Sequence, residues 1–112
     1  MTGTTLDVDT SSDGSLIIQP HGALRAEDAV DLRRVIVHAV RHVRPRRLIL
    51  DLSDLRDVDP INLGTLAAAC HLGDDQCVDV FLDNSSVALA DQLTAAGVDA
   101  HHLRRVGIRH AA

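Results

Sequence analysis

Aromatic side chains are almost absent from this sequence: one Phe, no Trp and no Tyr in 112 residues. Proteins that hold single-stranded nucleic acid stack bases on aromatic rings, so this composition argues against such a binder. It argues equally against an aromatic-lined carbohydrate site. Cysteine is scarce, with only Cys70 and Cys77. That usage fits free thiols in a reducing cytoplasm rather than a disulfide scaffold. No apolar run approaches the ~20 residues that cross a bilayer, so direct membrane insertion is not expected. The opening Met1-Thr2-Gly3-Thr4-Thr5 has neither a basic nor an apolar stretch, and no signal peptide is expected there. Positive charge is in deficit as well. A net charge of −5 disfavours a phosphate backbone or an anionic membrane as the main partner.

What is present is aliphatic. Hydrophobic residues make up 46% of the chain, so the core must be Leu, Val, Ile and Ala. A domain of this size buries roughly 65% of the surface its unfolded chain exposes, enough to fold without disulfides or metal. There is no internal repeat or linker, and residues 1–112 read as a single domain.

Residues 4–9 alternate and predict an edge strand. Ser11-Ser12-Asp13-Gly14 is a turn signal, and residues 16–22 predict a second strand, completing a hairpin. Residues 26–43 predict an amphipathic helix with Ala29, Leu32, Ile36, Ala39 and Val43 on one stripe, acidic residues in its first turns, arginines near its end and Pro45 after it. Leu48-Ile49-Leu50 fits a buried parallel strand. Asp59-Pro60 predicts a helix start, because Asp caps well and Pro suits the first helical position. Leu63, Leu66, Ala67 and Cys70 form that helix's apolar stripe, and Gly73 is its expected C-cap. Residues 78–82 predict a strand. Ser85 or Ser86 then caps a helix carrying Leu89, Ala90 and Leu93, closed by Gly97, and residues 103–108 supply a last strand. The order β-β-α-β-α-β-α-β implies an α/β fold with a mixed, mostly parallel sheet of about five strands.

Three stretches, supported by a fourth, resemble the STAS domains, a family that includes bacterial anti-sigma-factor antagonists. Gly22-Ala23-Leu24-Arg25 resembles the family's Gly-Glu-Leu-Asp, and residues 48–53 resemble its central strand. Asp59-Pro60-Ile61-Asn62-Leu63-Gly64 is similar to its Asp-Ser-Ser-Gly-Leu-Gly, and Leu93 through Val98 to its late Leu-x-x-x-Gly-Leu. With element order included, the likeness spans about residues 16–108. It implies a STAS-like fold and action by binding. Such domains dock on an anti-sigma factor, often a serine kinase of ATPase fold, which phosphorylates the first serine of the motif. The implied partner surface is Arg25, Asp59, Pro60, Ile61, Asn62, Leu63 and Gly64, with no cofactor and with room for a homodimer.

The departures fall on that surface. Pro60 stands at the phosphoserine position and Ile61 at the second serine, so no hydroxyl is available there. A phosphoryl group would bring about −1.5 to −2 charge to the helix start, a lever this chain lacks at that position. Asn62 replaces the family's glycine and is expected to add a polar group to the contact surface. Arg25 reverses a charge beside it. These changes, gathered in one place, imply an altered partner or altered regulation. The plainer reading is a good helix start kept as scaffold. Thr65 and Ser53 offer hydroxyls nearby, and each reads better as structural.

Other groupings are weaker. Cys70 and Cys77 suggest a redox pair if both are accessible, although Cys70 shares the apolar stripe. Cys70-His71 with Cys77 falls short of the four ligands of structural zinc. His38 and His42 share a helix face that reads as solvated, and the adjacent His101 and His102 are expected to diverge. Residues 41–47 are basic and read as a helix end plus loop. Asp51, Asp54, Asp57 and Asp59 crowd a strand end, where α/β proteins place function; they could hold a cation or serve as loop and cap residues. No nucleophile elbow, phosphate loop or dinucleotide fingerprint is present, so no enzyme is expected. The leading reading is a cytoplasmic antagonist of an anti-sigma factor. The alternatives are an accessory subunit of an ABC-type lipid transporter and a ligand-sensing STAS module.

Overall fold

The computed structural model describes residues 5–107. Strand β1 (Thr5–Thr10) turns back antiparallel along β2 (Ser15–Leu24). The turn needs Gly14, whose φ is +87°. A short 3-10 turn (Ala26–Asp28) leads into α1 (Ala29–His38) and a π turn (Ala39–Val43). Then follow β3 (Arg47–Asp51), β4 (Leu55–Val58), α2 (Pro60–Gln76), β5 (Asp79–Asp83), α3 (Val87–Ala95), a 3-10 turn (Ala100–His102) and β6 (Leu103–Arg104). The main sheet runs β1-β2-β3-β5-β6, and every neighbouring pair beyond the hairpin is parallel.

Register aligns the core in rows. Leu16, Leu48 and Val80 stand side by side, as do Ile18, Leu50 and Leu82. All six are buried, and burying a side chain of this size contributes roughly 1.5–3 kcal/mol. The alternate residues Ile17, Ile49 and Phe81 are only half-buried, so the central strand is covered fully on one face rather than both. Over Phe81 lies the guanidinium of Arg104, 4.0 Å from the ring centroid. Arg104 also grips the buried Asp83 with two 2.7 Å bonds, which fixes β6 to β5.

Strand β4 was not expected. It pairs in parallel with the far half of β2, matching Gly22 to Leu55 and Leu24 to Val58. One strand thus serves two partners in succession: β3 along Ser15–Ile18, then β4 from Gly22. Pro20 falls in the gap between them on that edge, opposite Leu6 of β1 on the other.

Three local expectations are corrected. Val43 is 51% exposed, and Val40 is buried instead. The π turn, closed by Arg44 N–H donating to Ala39 O at 2.8 Å, adds a residue to the turn and rotates the stripe. Gly73 does not end α2, which continues to Gln76 and closes on Cys77 in a left-handed conformation (φ 59°). Gly73 is buried against β5: a Cβ there would lie 2.4 Å from Val80 Cγ2 and 2.6 Å from Val78 O. The last strand is the two residues of β6, and Ile108, like Thr4, lies outside the described residues.

Candidate functional site

All the parallel strands end at the same pole of the sheet, and two of the loops leaving it build the predicted surface. Because Leu24 and Val58 are in register, the residues that follow them, Arg25 and Asp59, leave side by side. Asp59 N–H donates to Leu24 O at 2.7 Å and locks the two exits together. Asp59 then takes an extended conformation, and its carboxylate accepts from Ile61 N–H at 3.1 Å, a normal N-cap. Pro60 fills the first helical position, as its sequence predicts.

The structure splits the predicted surface in two. Arg25, Pro60, Ile61 and Gly64 are exposed, and Asp59 is half-exposed. Ile61 is 53% exposed, the largest of the exposed aliphatic side chains among the described residues. Asn62 and Leu63, in contrast, are buried, so the expectation that they contribute to the contact surface is corrected. Asn62 points inward and donates from Nδ2 to the backbone O of Arg25 at 2.8 Å. The same carbonyl accepts from Asp28 N–H at 3.0 Å. Arg25 N–H in turn donates to Asp28 Oδ2 at 2.8 Å. Asn62 is therefore a brace under the surface. Its Oδ1 is buried with no partner among the described residues. The signal was available in the sequence: Asn62, Leu66, Ala69 and Gly73 recur at helical spacing and all four are buried.

Two depressions flank this surface. A shallow hollow of about 330 Å³ lies between the ends of β2 and β4, bordered by Arg25, Asp57 and Asp59. A groove of about 400 Å³ runs between α1 and α2 from Ile61, past Val37 and Ala68, with Arg33 and Arg41 on its rim.

The acidic residues near the strand ends do not converge. Asp51 Oδ1 accepts from Ser53 N–H and from Asn84 Nδ2, both at 3.1 Å. Asp57 is exposed and Asp59 is the cap. Asp54 instead meets His21 Nδ1, whose Nε2 lies 2.6 Å from Asp7 on β1. Hydrogen bonds to Asp54 first and Asp7 second hold His21 above its ordinary pKa. Asp51 thus bridges Ser53 and Asn84, Asp59 caps α2, and Asp54 clasps His21.

The remaining groups also resolve. Ser53 Oγ accepts from Gln19, and Thr65 Oγ1 donates to Ile61 O within its own helix. Much of the basic run is used internally: Arg44 donates to Gln76 O at 2.7 Å at the end of α2, and Arg47 pairs with Asp13 at 3.1 Å. Ser86, not Ser85, caps α3, accepting from Leu89 N–H at 3.1 Å. Cys77 is exposed, whereas Cys70 is buried and its thiol is pushed up to about 12, chiefly by burial. A redox pair needs both thiols accessible, and that condition is not met.

The fold has close counterparts among solved structures. An anti-sigma factor antagonist from Mycobacterium paratuberculosis matches with a TM-score of 0.74 at 22% identity, covering 92% of this chain and 86% of that one. A variant of Moorella thermoacetica RsbS matches with a TM-score of 0.73 at 17% identity, covering 94% and 87%. The anti-sigma factor antagonist SpoIIAA in its unphosphorylated form matches with a TM-score of 0.70 at 14% identity, covering 80% and 82%. No curated protein sequence matches the chain. The family model of the STAS domain matches residues 7–106, and with the sheet order and the α2 start described above, the chain belongs to the STAS domain family.

Proposed function

We propose that this chain is a non-enzymatic, protein-binding regulator that engages an anti-sigma factor, one with a serine-kinase-like ATPase fold, in the cytoplasm. One observation carries the reading. Pro60 and Ile61 stand exposed on the first turn of α2 at the position matching the family's two serines, beside Arg25 and over the Asn62 brace. A rigid turn presenting a large apolar side chain with a cation next to it is a docking feature rather than a catalytic one. The groove beginning at Ile61 extends the surface, and its Arg33 and Arg41 favour an acidic rim on the partner. Pro60 offers no hydroxyl, so the partner's kinase activity has no substrate there and docking is not switched off by that route.

The same turn counts against an anion-sensing module. Pro60 has no N–H, Ile61 N–H is taken by Asp59 Oδ1, and Asn62 N–H by Asp59 O. An anion would have to displace these bonds to use the helix start. Co-purification from the native host separates the remaining readings. An anti-sigma factor recovered with the chain, at one-to-one stoichiometry, supports the regulator. Recovery of a transporter ATPase in its place overturns it in favour of the accessory-subunit role.

A further inference from the structure

We propose that Asp74, His101 and His102 form a binding site for a divalent transition metal of the zinc class, at the opposite end of α2 from the docking turn. Asp74 lies in the last turn of α2, about 21 Å along the helix from Pro60 at 1.5 Å per residue. Adjacent histidines were expected to diverge. The 3-10 turn instead brings the rings of His101 and His102 to 3.9 Å between centroids. The ligand atoms of all three residues lie within 4.8 Å of one another, and no other such cluster occurs among the described residues.

His102 is prepared for the role. It is 4% exposed, and its Nδ1 lies 2.7 Å from Val80 O. A carbonyl only accepts, so Nδ1 carries the proton and Nε2 keeps a lone pair when the ring is neutral. A ligating histidine is usually held in this way, with its second nitrogen donating to a carbonyl or carboxylate. Nε2 faces Asp74 Oδ2 at 3.7 Å, too far for a hydrogen bond. Two ligands about 2.0–2.1 Å from one tetrahedral ion stand roughly 3.3 Å apart, so a few tenths of an ångström bring His102 and Asp74 to ligand spacing, and the exposed His101 ring turns in to complete the site.

The donor set selects the metal. Two imidazoles and one carboxylate suit zinc, nickel or copper, whereas calcium and magnesium prefer all-oxygen shells. The side chain of Asp74 is 57% exposed and His101 is exposed, which gives an ion a path in and leaves a fourth position for water. Binding would tie the end of α2 to the turn that leads into β6. The three ligands meet only in the folded chain, so the metal binds the native state and raises its melting temperature.

The test uses the full chain, stripped with a chelator and titrated with zinc chloride. Calorimetry should show one ion per chain, and added zinc should raise Tm reversibly, with EDTA restoring the original value. His101→Ala changes an exposed side chain, and it and Asp74→Asn should each weaken binding roughly 10- to 100-fold. His38→Ala should leave binding intact; His38 and His42 on α1 stand 5.2 Å apart between centroids and are the competing pair. A flat zinc titration overturns the proposal. So does binding that survives His101→Ala, binding lost in His38→Ala, or calcium binding of equal strength.

Discussion

Asn62 donates its side-chain amide to the backbone carbonyl of Arg25 across 2.8 Å, joining the start of α2 to the loop after β2. The part-buried bond lies beneath the proposed docking turn and holds its two halves in one position. Asn62→Ala should therefore lower stability by about 1–2 kcal/mol in urea denaturation, the cost of a part-buried bond lost together with its packing. The same variant should weaken partner binding, because Arg25 and Pro60 lose their fixed spacing.

Gly73 carries a different kind of constraint. Its missing side chain lets α2 approach Val78 and Val80. Gly73→Ala raises helix propensity by about 1 kcal/mol, yet it forces a methyl into contacts that cannot give way cheaply. A net loss of roughly 2–3 kcal/mol is expected from denaturant midpoints at unchanged slope. A neutral or stabilised variant would mean that the α2–β5 packing is looser than the structure shows.

His21 makes the hairpin sensitive to pH. Its folded pKa is raised by Asp54 and Asp7, so its clasp contributes fully below the unfolded value of about 6.5 and is lost as pH rises through the raised folded value. Hydrogen exchange along β1 should accelerate, beyond the intrinsic pH effect, as pH is raised across that window. In His21→Ala that excess should vanish.

The thiols should react very differently. Cys77 is exposed, and Cys70 is buried with its pKa at about 12. A thiol reagent should label one cysteine quickly in the native chain and the second only on unfolding. Cys77→Ser should abolish the fast phase.

Much of this molecule was legible in its sequence wherever local chemistry decides the outcome. Asp59-Pro60 specified the start of α2, and the apolar run at Leu48 specified the central strand. What escaped depends on distant partners. The stretch Leu-Arg-Asp-Val of β4 has two exposed charged residues at its centre and no apolar run, and it is a strand because β2 extends beyond its pairing with β3. Gly73 resembles a stop signal until Val80 is placed against it. Cys77 closes the helix although it is not glycine. At the proposed docking surface the sequence pattern placed the helix start but not the depth of its side chains. Asn62 follows two exposed residues, and only its helical spacing from Leu66 and Ala69 marks it as inward-facing.

The central claim is that the exposed Pro60–Ile61 turn binds an anti-sigma factor, and the most direct measurement is the affinity of that factor for the wild-type chain and for Ile61→Asp. Ile61 is exposed and lies outside the core, so the variant should fold with the wild-type melting temperature. The account predicts a stable one-to-one complex with the wild-type chain and a weakening of roughly tenfold or more in Ile61→Asp, as for an apolar anchor at an interface. Equal affinities in the two proteins would contradict it.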